Sequence, residues 1–247
     1  MKGIARMNHG AVMMNEYSTD HYVFHYGDGT KAAEDITEIA AHQEKCFRYI
    51  CSVLNTEPNF KIQYFLCDSP EEVGRMFGDN EACNGLADTP DKVYATYNDK
   101  IQCIGFHEDA HIIASTMNSP PCSAIKEGLS MYFDRTWWGI HNLHWAVYYF
   151  KTKQLLPIDK LLIQDSFFEV DCSITYPIVG SFTEWLISSY GLQKYLKLFR
   201  ENDIPNAIER IYGMTASAMS DHFTDYLSLF ANDSELEKRM RDLRENR

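Results

Sequence analysis

Residues 101–117, IQCIGFHEDAHIIASTM, and residues 123–134, SAIKEGLSMYFD, decide how this chain is expected to fold. The first stretch mixes polar and apolar residues as a helix does, and Pro120 and Pro121 follow it closely. Because neither proline can continue a helix, the second stretch has to begin a new one. The sequence therefore predicts two consecutive helices, one over 101–117 and one from about residue 123, separated by a proline break.

The first helix contains the pattern H-E-x-x-H at residues 107–111. His107 and His111 are four residues apart, so on a helix they fall within roughly 40° of each other on one face. Glu108 lies about 100° from the first histidine, where its carboxylate can reach a water without binding the metal itself. The flanking residues are apolar, and unpaired His and Glu side chains on a buried helix would be costly. The pattern predicts two metal ligands and a candidate general base.

A catalytic zinc usually has three protein ligands and a water, so a third ligand must come from another element. Glu127 follows His111 by sixteen residues and lies near the start of the second helix. A crossing or antiparallel second helix would bring its carboxylate to the metal, and Gly128 would let the helices approach closely. The alternative is that Glu127 is an early-turn acid favoured by the helix dipole. Together with the H-E-x-x-H pattern, the ligand interpretation is the stronger one.

Strand and helix signals alternate before residue 101. Residues 20–27, 61–67 and 92–97 are rich in aromatic and β-branched side chains, which is typical of strands, and we expect the last to lie at the sheet edge. A short helix is expected to begin after Ser69, its predicted cap. Residues 34–55 predict an amphipathic helix, with an apolar stripe formed by Ile36, Ile39, Ala40, Cys46, Phe47, Ile50, Cys51 and Leu54.

The second helix is predicted to run from near Ser123 through residue 138, and beyond it the sequence predicts only helices, at about 140–153, 158–164, 175–190, 191–202, 204–211 and 215–230. The predicted fold class is α+β: a small N-terminal mixed-sheet lobe with helices, the H-E-x-x-H helix at the junction, and an all-helical C-terminal lobe. The predicted boundaries are an N-terminal extension at 1–19, an α+β lobe at 20–117, a helical lobe at 118–230 and a charged tail helix at 231–247.

Composition excludes several classes of protein. Of the 247 residues 45% are hydrophobic, which argues against disorder. The net charge is −12, and −9 of it falls in residues 1–120, so nucleic acid and anionic membranes are not expected partners. The absence of a long apolar run predicts no transmembrane helix. A large globular domain remains, and its acidic first half is not expected to bind a polyanion.

The seven cysteines are odd in number and scattered, with no CxxC pair. We interpret them as reduced thiols, while two or three disulfides in a secreted protein remain the alternative. The N-terminal residues do not resemble a signal peptide. The predicted location is cytoplasmic, or secreted if a leader was removed.

H-E-x-x-H followed at this distance by E-G-L-x-x-Y-F resembles the gluzincin branch of zinc metallopeptidases, with the thermolysin-like fold also found in peptidase-MA-like domains. The similarity extends over roughly residues 20–230, although only the metal motif is specific. It implies one Zn²⁺ bound by His107, His111 and Glu127, with Glu108 as general base and acid. Thermolysin has an aspartate at the position of Met131, so the residues that support the ligands are unassigned here, with Ser130 and Asp134 as candidates.

The same resemblance implies a donor for the developing oxyanion and an edge strand that pairs with the substrate. Tyr176 is the predicted donor, and Tyr132, His141, His144 and His222 are alternatives. The strand at 92–97 is the predicted substrate strand, through Val93, Tyr94, Ala95 and Thr96. It could equally be an interior or non-binding strand. His141 and His144 could form a second metal pair, but no cysteine or carboxylate partner stands near them in sequence.

The expected function is a zinc-dependent metallopeptidase that hydrolyses peptide bonds by a metal-activated water. The alternative is a catalytically weak or inactive zinc-stabilised domain that binds a peptide or protein or regulates one. A metal-free structural domain is a third possibility. The sequence does not distinguish an endopeptidase from an aminopeptidase.

Overall fold

The structure is a computed structural model that describes residues 14–120, 122–163, 167 and 169–245. The chain divides into two compact units. The first contains the described residues up to Tyr49 together with Pro58–Ile112, and the second contains Ile50–Glu57 and the chain from Ile113 onward. Of the predicted N-terminal extension at 1–19, residues 1–13 lie outside the described residues, and the part that follows contributes a strand to the sheet.

A five-stranded mixed sheet forms the centre of the first unit. The strand order is β1-β2-β3-β5-β4, in which β2, β3 and β5 run parallel while β1 and β4 are antiparallel to their neighbours. The structure thereby confirms the predicted mixed sheet and the strands expected near 20–27, 61–67 and 92–97. The strands are β1 Asn15–Ser18, β2 Tyr22–Tyr26, β3 Ile62–Cys67, β4 Gly85–Asp88 and β5 Lys92–Thr96.

The prediction that the strand at 92–97 lies at the sheet edge is wrong. Strand β5 pairs with β3 on one side and with β4 on the other, so β4 is the edge strand. The four residues predicted to bind substrate are all buried, as is typical of an interior strand covered on both faces. With neighbouring strands on both sides, this strand has no open edge for a peptide. These residues are Val93, Tyr94, Ala95 and Thr96.

Two helices of the predicted kind accompany the sheet: α1, Lys31–Leu54, and α2, Pro70–Phe77. Helix α1 buries its predicted stripe apart from Cys51, which is partly exposed. Helix α2 is capped by Ser69, whose side chain accepts a hydrogen bond from the backbone N–H of Glu72. Both predictions are confirmed.

Helix α3 spans His107–Ser115 and is shorter than the helix predicted over 101–117. Residues 101–106 are not helical, and one of them, Gln102, forms a β-bridge with Tyr97. Gly105 has a backbone φ of +129°, which residues other than glycine rarely adopt and which does not occur in an α-helix. The helix therefore begins two residues later, at the first histidine of the motif.

The second unit is mostly helical, as predicted, but it is not all helical. The helix predicted to run through residue 138 ends at Asp134, and a small hairpin of β6, Thr136–Trp137, and β7, Ile140–His141, follows it. Its two turn residues, Trp138 and Gly139, both have positive φ, as a tight hairpin turn requires. The helices are α4 Ser123–Asp134, α5 Asn142–Lys151, α6 Ile158–Leu161, α7 Cys172–Tyr190, α8 Leu192–Phe199, α9 Ile204–Tyr212, α10 Ala216–Ser228 and α11 Ser234–Glu245.

Helices α4 and α7 form the most closely packed part of the second unit. A Cβ atom placed on Gly128 of α4 would lie 2.4 Å from Oγ1 of Thr183 and 3.1 Å from the carbonyl oxygen of Val179 in α7. A Cβ on Gly180 of α7 would lie 2.7 Å from the Cβ of Met131 in α4. Each helix therefore offers a glycine where the other approaches. Gly128 was expected to let α4 approach the H-E-x-x-H helix, but the atoms nearest to its Cβ position belong to α7. Among the described residues, no helix is both long and apolar enough to cross a membrane.

Candidate metal centre

Two histidines lie on the first two turns of helix α3. His107 is its first residue and His111 lies one turn further along. Their ring centroids are 5.1 Å apart, and the ring planes are inclined by 76°. Both side chains are partly buried. This is the arrangement that the i, i+4 spacing predicts for two imidazoles that can bind one ion.

Glu127, in the second turn of α4, completes the group. His107, His111 and Glu127 each offer one ligand atom, and these atoms all lie within 4.8 Å of one another. Over the part of the chain that the structure describes, no other group of three or more His, Cys, Asp or Glu residues is as close. Two imidazole nitrogens and one carboxylate oxygen are a donor set that catalytic zinc sites use. The residues present therefore fit a zinc ion.

Glu108, the candidate general base, lies against the edge strand β4. A Cβ atom placed on Gly85 would be 2.8 Å from Oε1 of Glu108 and 2.8 Å from Sγ of Cys103. Only a glycine leaves this space to the carboxylate. Gly85 is not among the residues predicted from the sequence, although GLAD followed by the turn residues TPD and a strand is a hairpin signal that could have identified β4.

Asp109, the first variable residue of the motif, is fully buried. Burial is the main reason why its pKa is raised well above the usual range of a carboxyl group. Its Oδ2 accepts hydrogen bonds from the hydroxyl of Tyr22 at 2.5 Å and from Nε2 of Gln43 at 3.0 Å. Burial also raises the pKa of the Tyr22 phenol. The sequence predicts no role for these three residues, because nothing in the motif shows which side chains face Asp109.

No family model, curated protein or solved structure matches this chain. The gluzincin resemblance therefore stays a prediction that depends on the residues of α3 and α4.

Tyr176 lies in the first part of α7 and is partly buried. Its ring packs edge-on against Trp137 at 5.7 Å between centroids and stacks on Phe167 at 6.1 Å. The first of these contacts is with strand β6, which the sequence did not predict. Its role as an oxyanion donor stays a prediction.

The alternative donors have other contacts of their own. Tyr132 lies under the guanidinium group of Arg135, at 4.4 Å from the ring centroid. His141 accepts a hydrogen bond from the backbone N–H of Leu143 and so caps α5. His144 contacts Asn232, whereas His222 is exposed. Of these histidines, His141 therefore caps a helix and His144 makes a surface contact.

Met131, at the position where thermolysin has an aspartate, is fully buried. Its backbone carbonyl accepts a hydrogen bond from Nδ2 of Asn142 at 2.8 Å. The neighbouring candidates for supporting a ligand differ in exposure, since Ser130 is buried and Asp134 partly exposed. Neither assignment is tested by these positions.

Proposed function

We propose that this protein is a zinc metallopeptidase that hydrolyses peptide bonds. The observation that supports it best is the grouping of His107, His111 and Glu127, whose ligand atoms lie within 4.8 Å of one another. The three residues would hold one Zn²⁺, and the donor set is the one used by peptidases of this type.

Zinc, when bound, supplies Lewis acidity that makes a water more acidic and polarises a carbonyl group. Glu108 is the chain's own contribution to the reaction. It accepts the proton of the attacking water and returns it to the nitrogen of the leaving amine. Its position beside His107, on a helix whose histidines bind the metal, supports this role. Tyr176 remains the candidate for stabilising the developing oxyanion.

The edge strand β4 supports a peptide as the substrate. An extended peptide can add a strand to an exposed sheet edge, where backbone hydrogen bonds hold it without regard to most side chains. We therefore transfer the predicted substrate-binding role from the interior strand β5 to β4. The carboxylate of Glu108 lies against Gly85 at the beginning of this strand. A peptide that paired with β4 would pass beside the candidate base.

The order of elements supports a thermolysin-like, gluzincin-type architecture. A mixed sheet with an antiparallel edge strand precedes the helix that carries H-E-x-x-H, and the helix with the glutamate ligand follows. The location that we propose is the cytoplasm, because none of the seven cysteines, all of which the structure describes, forms a disulfide.

The test is to purify the full chain, measure its zinc content, and incubate it with a mixture of peptides of varied sequence. We expect about one zinc per chain and cleavage products detectable by mass spectrometry. Glu108→Gln should keep the zinc and lower turnover by a factor of about 10³ or more, because a positioned base is lost. Glu127→Gln should lose zinc and activity together. Glu209→Gln, an exposed glutamate of α9, is the matched control and should change neither.

Two results would contradict the proposal. Zinc at a small fraction of one per chain would refute the metal site. Full zinc occupancy with no cleavage of any peptide would instead favour a zinc-stabilised domain that binds a peptide or protein. Met131 is compatible with that function, because it stands where the resemblance to thermolysin would place an aspartate that supports a metal ligand.

A further inference from the structure

Helix α3 carries a buried carboxyl group that the proposed chemistry does not use. Asp109 is fully buried, and its Oδ2 contacts two side chains, the hydroxyl of Tyr22 on β2 and the amide of Gln43 on α1. The tyrosine hydroxyl also lies 3.2 Å from the backbone carbonyl oxygen of Gln43. These groups form a set of polar contacts within the first unit. Buried polar groups are costly unless they are paired, so each depends on the others.

Gln43 connects this set to the residues just before the helix. Its Oε1 accepts a hydrogen bond from the backbone N–H of Gly105 at 2.8 Å, and its Nε2 donates to the carbonyl oxygen of the same residue at 3.1 Å. The same Nε2 lies 3.0 Å from Oδ2 of Asp109. One fully buried amide therefore holds residue 105 and residue 109 together. His107 lies midway between them in the sequence.

The start of a helix needs such support. The first N–H groups of a helix lack partners within the helix, and its first turn frays unless other groups hold it. His107 is the first residue of α3 and follows Gly105, whose φ of +129° belongs to no regular element. Without hydrogen bonds from outside the helix to its first turn, the His107 side chain would sample several positions.

We propose that Gln43, Asp109 and Tyr22 act as a positioning clamp for α3 that holds His107 and His111 in the arrangement that binds the metal. The inference rests on the zinc site proposed above and assigns residues outside the ligand set to its affinity. The physical reason is preorganisation: if only a fraction of molecules has the binding arrangement, the apparent dissociation constant rises by the inverse of that fraction. Residues that support metal ligands typically change affinity by about 10- to 100-fold when altered.

The experiment measures two quantities on the full chain and its variants: the zinc dissociation constant, by competition with a coloured chelator, and the Tm of the zinc-free protein. Gln43→Met removes the bridging amide, and Tyr22→Phe removes one hydroxyl. We expect zinc affinity to fall about tenfold or more in the first and less in the second. If Gln43→Met does not fold, Tyr22→Phe carries the test.

Asp109→Asn is the conservative variant. An asparagine can place its carbonyl oxygen where Oδ2 stands, and so accept both hydrogen bonds, although its NH₂ group would then be buried where Asp109 Oδ1 has no partner. We expect its Tm to fall while its zinc affinity stays within about threefold of the wild type. If zinc affinity simply followed the stability of the fold, Asp109→Asn would lose affinity along with its Tm.

Tyr149→Phe is the matched control. Tyr149 is also fully buried, and its hydroxyl donates to the carbonyl oxygen of Ser173 at 2.7 Å in the second unit. It should lower the Tm about as much as Tyr22→Phe and leave zinc affinity unchanged.

The inference is overturned if Gln43→Met and Tyr22→Phe bind zinc like the wild type, or if Tyr149→Phe weakens zinc binding equally. The zinc function would survive either result. Conversely, a protein that binds zinc but cleaves no peptide refutes the peptidase and leaves the clamp supported by the affinities. A wild-type chain that binds no zinc refutes both.

Discussion

Helices α3 and α4 are held within their own units by different physical means. In the first unit, α3 is held by hydrogen bonds from buried polar side chains, with Gln43 and Asp109 at the centre. In the second unit, α4 is held by close packing against α7, where Gly128 and Gly180 remove the side chains that would keep the helices apart. The contacts of α3 depend on the geometry of hydrogen bonds, whereas the contact between α4 and α7 depends on the volume of the side chains between them.

This difference determines which substitutions each unit tolerates. A hydrogen-bonded network is damaged when one partner loses a donor or acceptor, because the remaining group is buried and unpaired. A close-packed contact is damaged when an atom is added, because neighbouring groups must move. The three predictions below test this contrast, in order of expected effect.

The largest effect is expected for Gly128→Ala in the second unit. Alanine favours a helix over glycine by about 1 kcal/mol, so an exposed site would become more stable. Here the new Cβ would lie 2.4 Å from Oγ1 of Thr183, and overpacking of this kind costs about 1–3 kcal/mol. We expect a net loss of about 2 kcal/mol in the free energy of unfolding, measured by urea denaturation.

The double variant Gly128→Ala/Thr183→Ala provides the control. It removes the atom nearest to the new Cβ and leaves the carbonyl oxygen of Val179 at 3.1 Å. The double variant should therefore lose less free energy of unfolding than the sum of the losses in Gly128→Ala and Thr183→Ala. Additive effects, or a stabilised single variant, would show that volume does not limit this contact.

Gly85→Ala asks whether packing also matters in the first unit. The added Cβ would lie 2.8 Å from Oε1 of Glu108, so the carboxylate has to move. Displacement of a reacting group by about 1 Å can cost about 100-fold in rate. A shift of a few tenths of an ångström should cost less, so we expect kcat for peptide hydrolysis to fall about tenfold while zinc content stays the same.

Gly27→Ala, which adds a Cβ atom 2.9 Å from Cγ2 of Thr30 in the same unit but outside β4, is the matched control and should retain its activity. If Gly85→Ala kept wild-type turnover, the space beside Glu108 would have no part in catalysis.

The smallest effect is expected for Glu44→Gln, a second polar contact of α1. Burial alone would raise the pKa of Glu44, but hydrogen bonds from His21 and Thr19 outweigh it, and the pKa is lowered below the usual 4.5. The stabilisation is therefore complete above pH 4.5 and is lost as the pH falls through the lowered pKa. We expect the variant to be less stable at neutral pH by about 1 kcal/mol.

The measurement is urea unfolding of both proteins over a series of pH values, in which the difference should shrink in acid. Glu38→Gln, an exposed glutamate of the same helix, should show no such difference. A gap between wild type and Glu44→Gln that stayed constant in acid would contradict the assignment.

The elements that the sequence predicted well are those with local signals. Helix α1 was recognised from its apolar stripe, and α2 from Ser69 at its start, because helix periodicity and capping involve residues close in the chain. Strands β2, β3 and β5 were recognised in the same way. The missed strand β4 has only four residues and no hydrophobic alternation. The early start predicted for α3 failed because one glycine, Gly105, outweighed the apolar residues around it.

In the candidate site, too, the features set by residues close in the chain were predicted and those set by distant residues were not. Its donor types and their spacing on α3 follow from the sequence alone, since four residues make about one helical turn. The partners of Asp109 and the neighbour of Glu108 do not. Gln43 lies 66 residues before Asp109, and no local pattern connects them.

By itself, the sequence determined that His107 and His111 share a helix face with Glu108 beside them, because covalent geometry and helix periodicity leave no other arrangement once the helix forms. Only the tertiary structure decided that β4 rather than β5 lies at the sheet edge, and that a buried amide from α1 holds the start of α3. Strand order and buried polar pairing depend on which distant segments meet, and that is settled by packing of the whole chain.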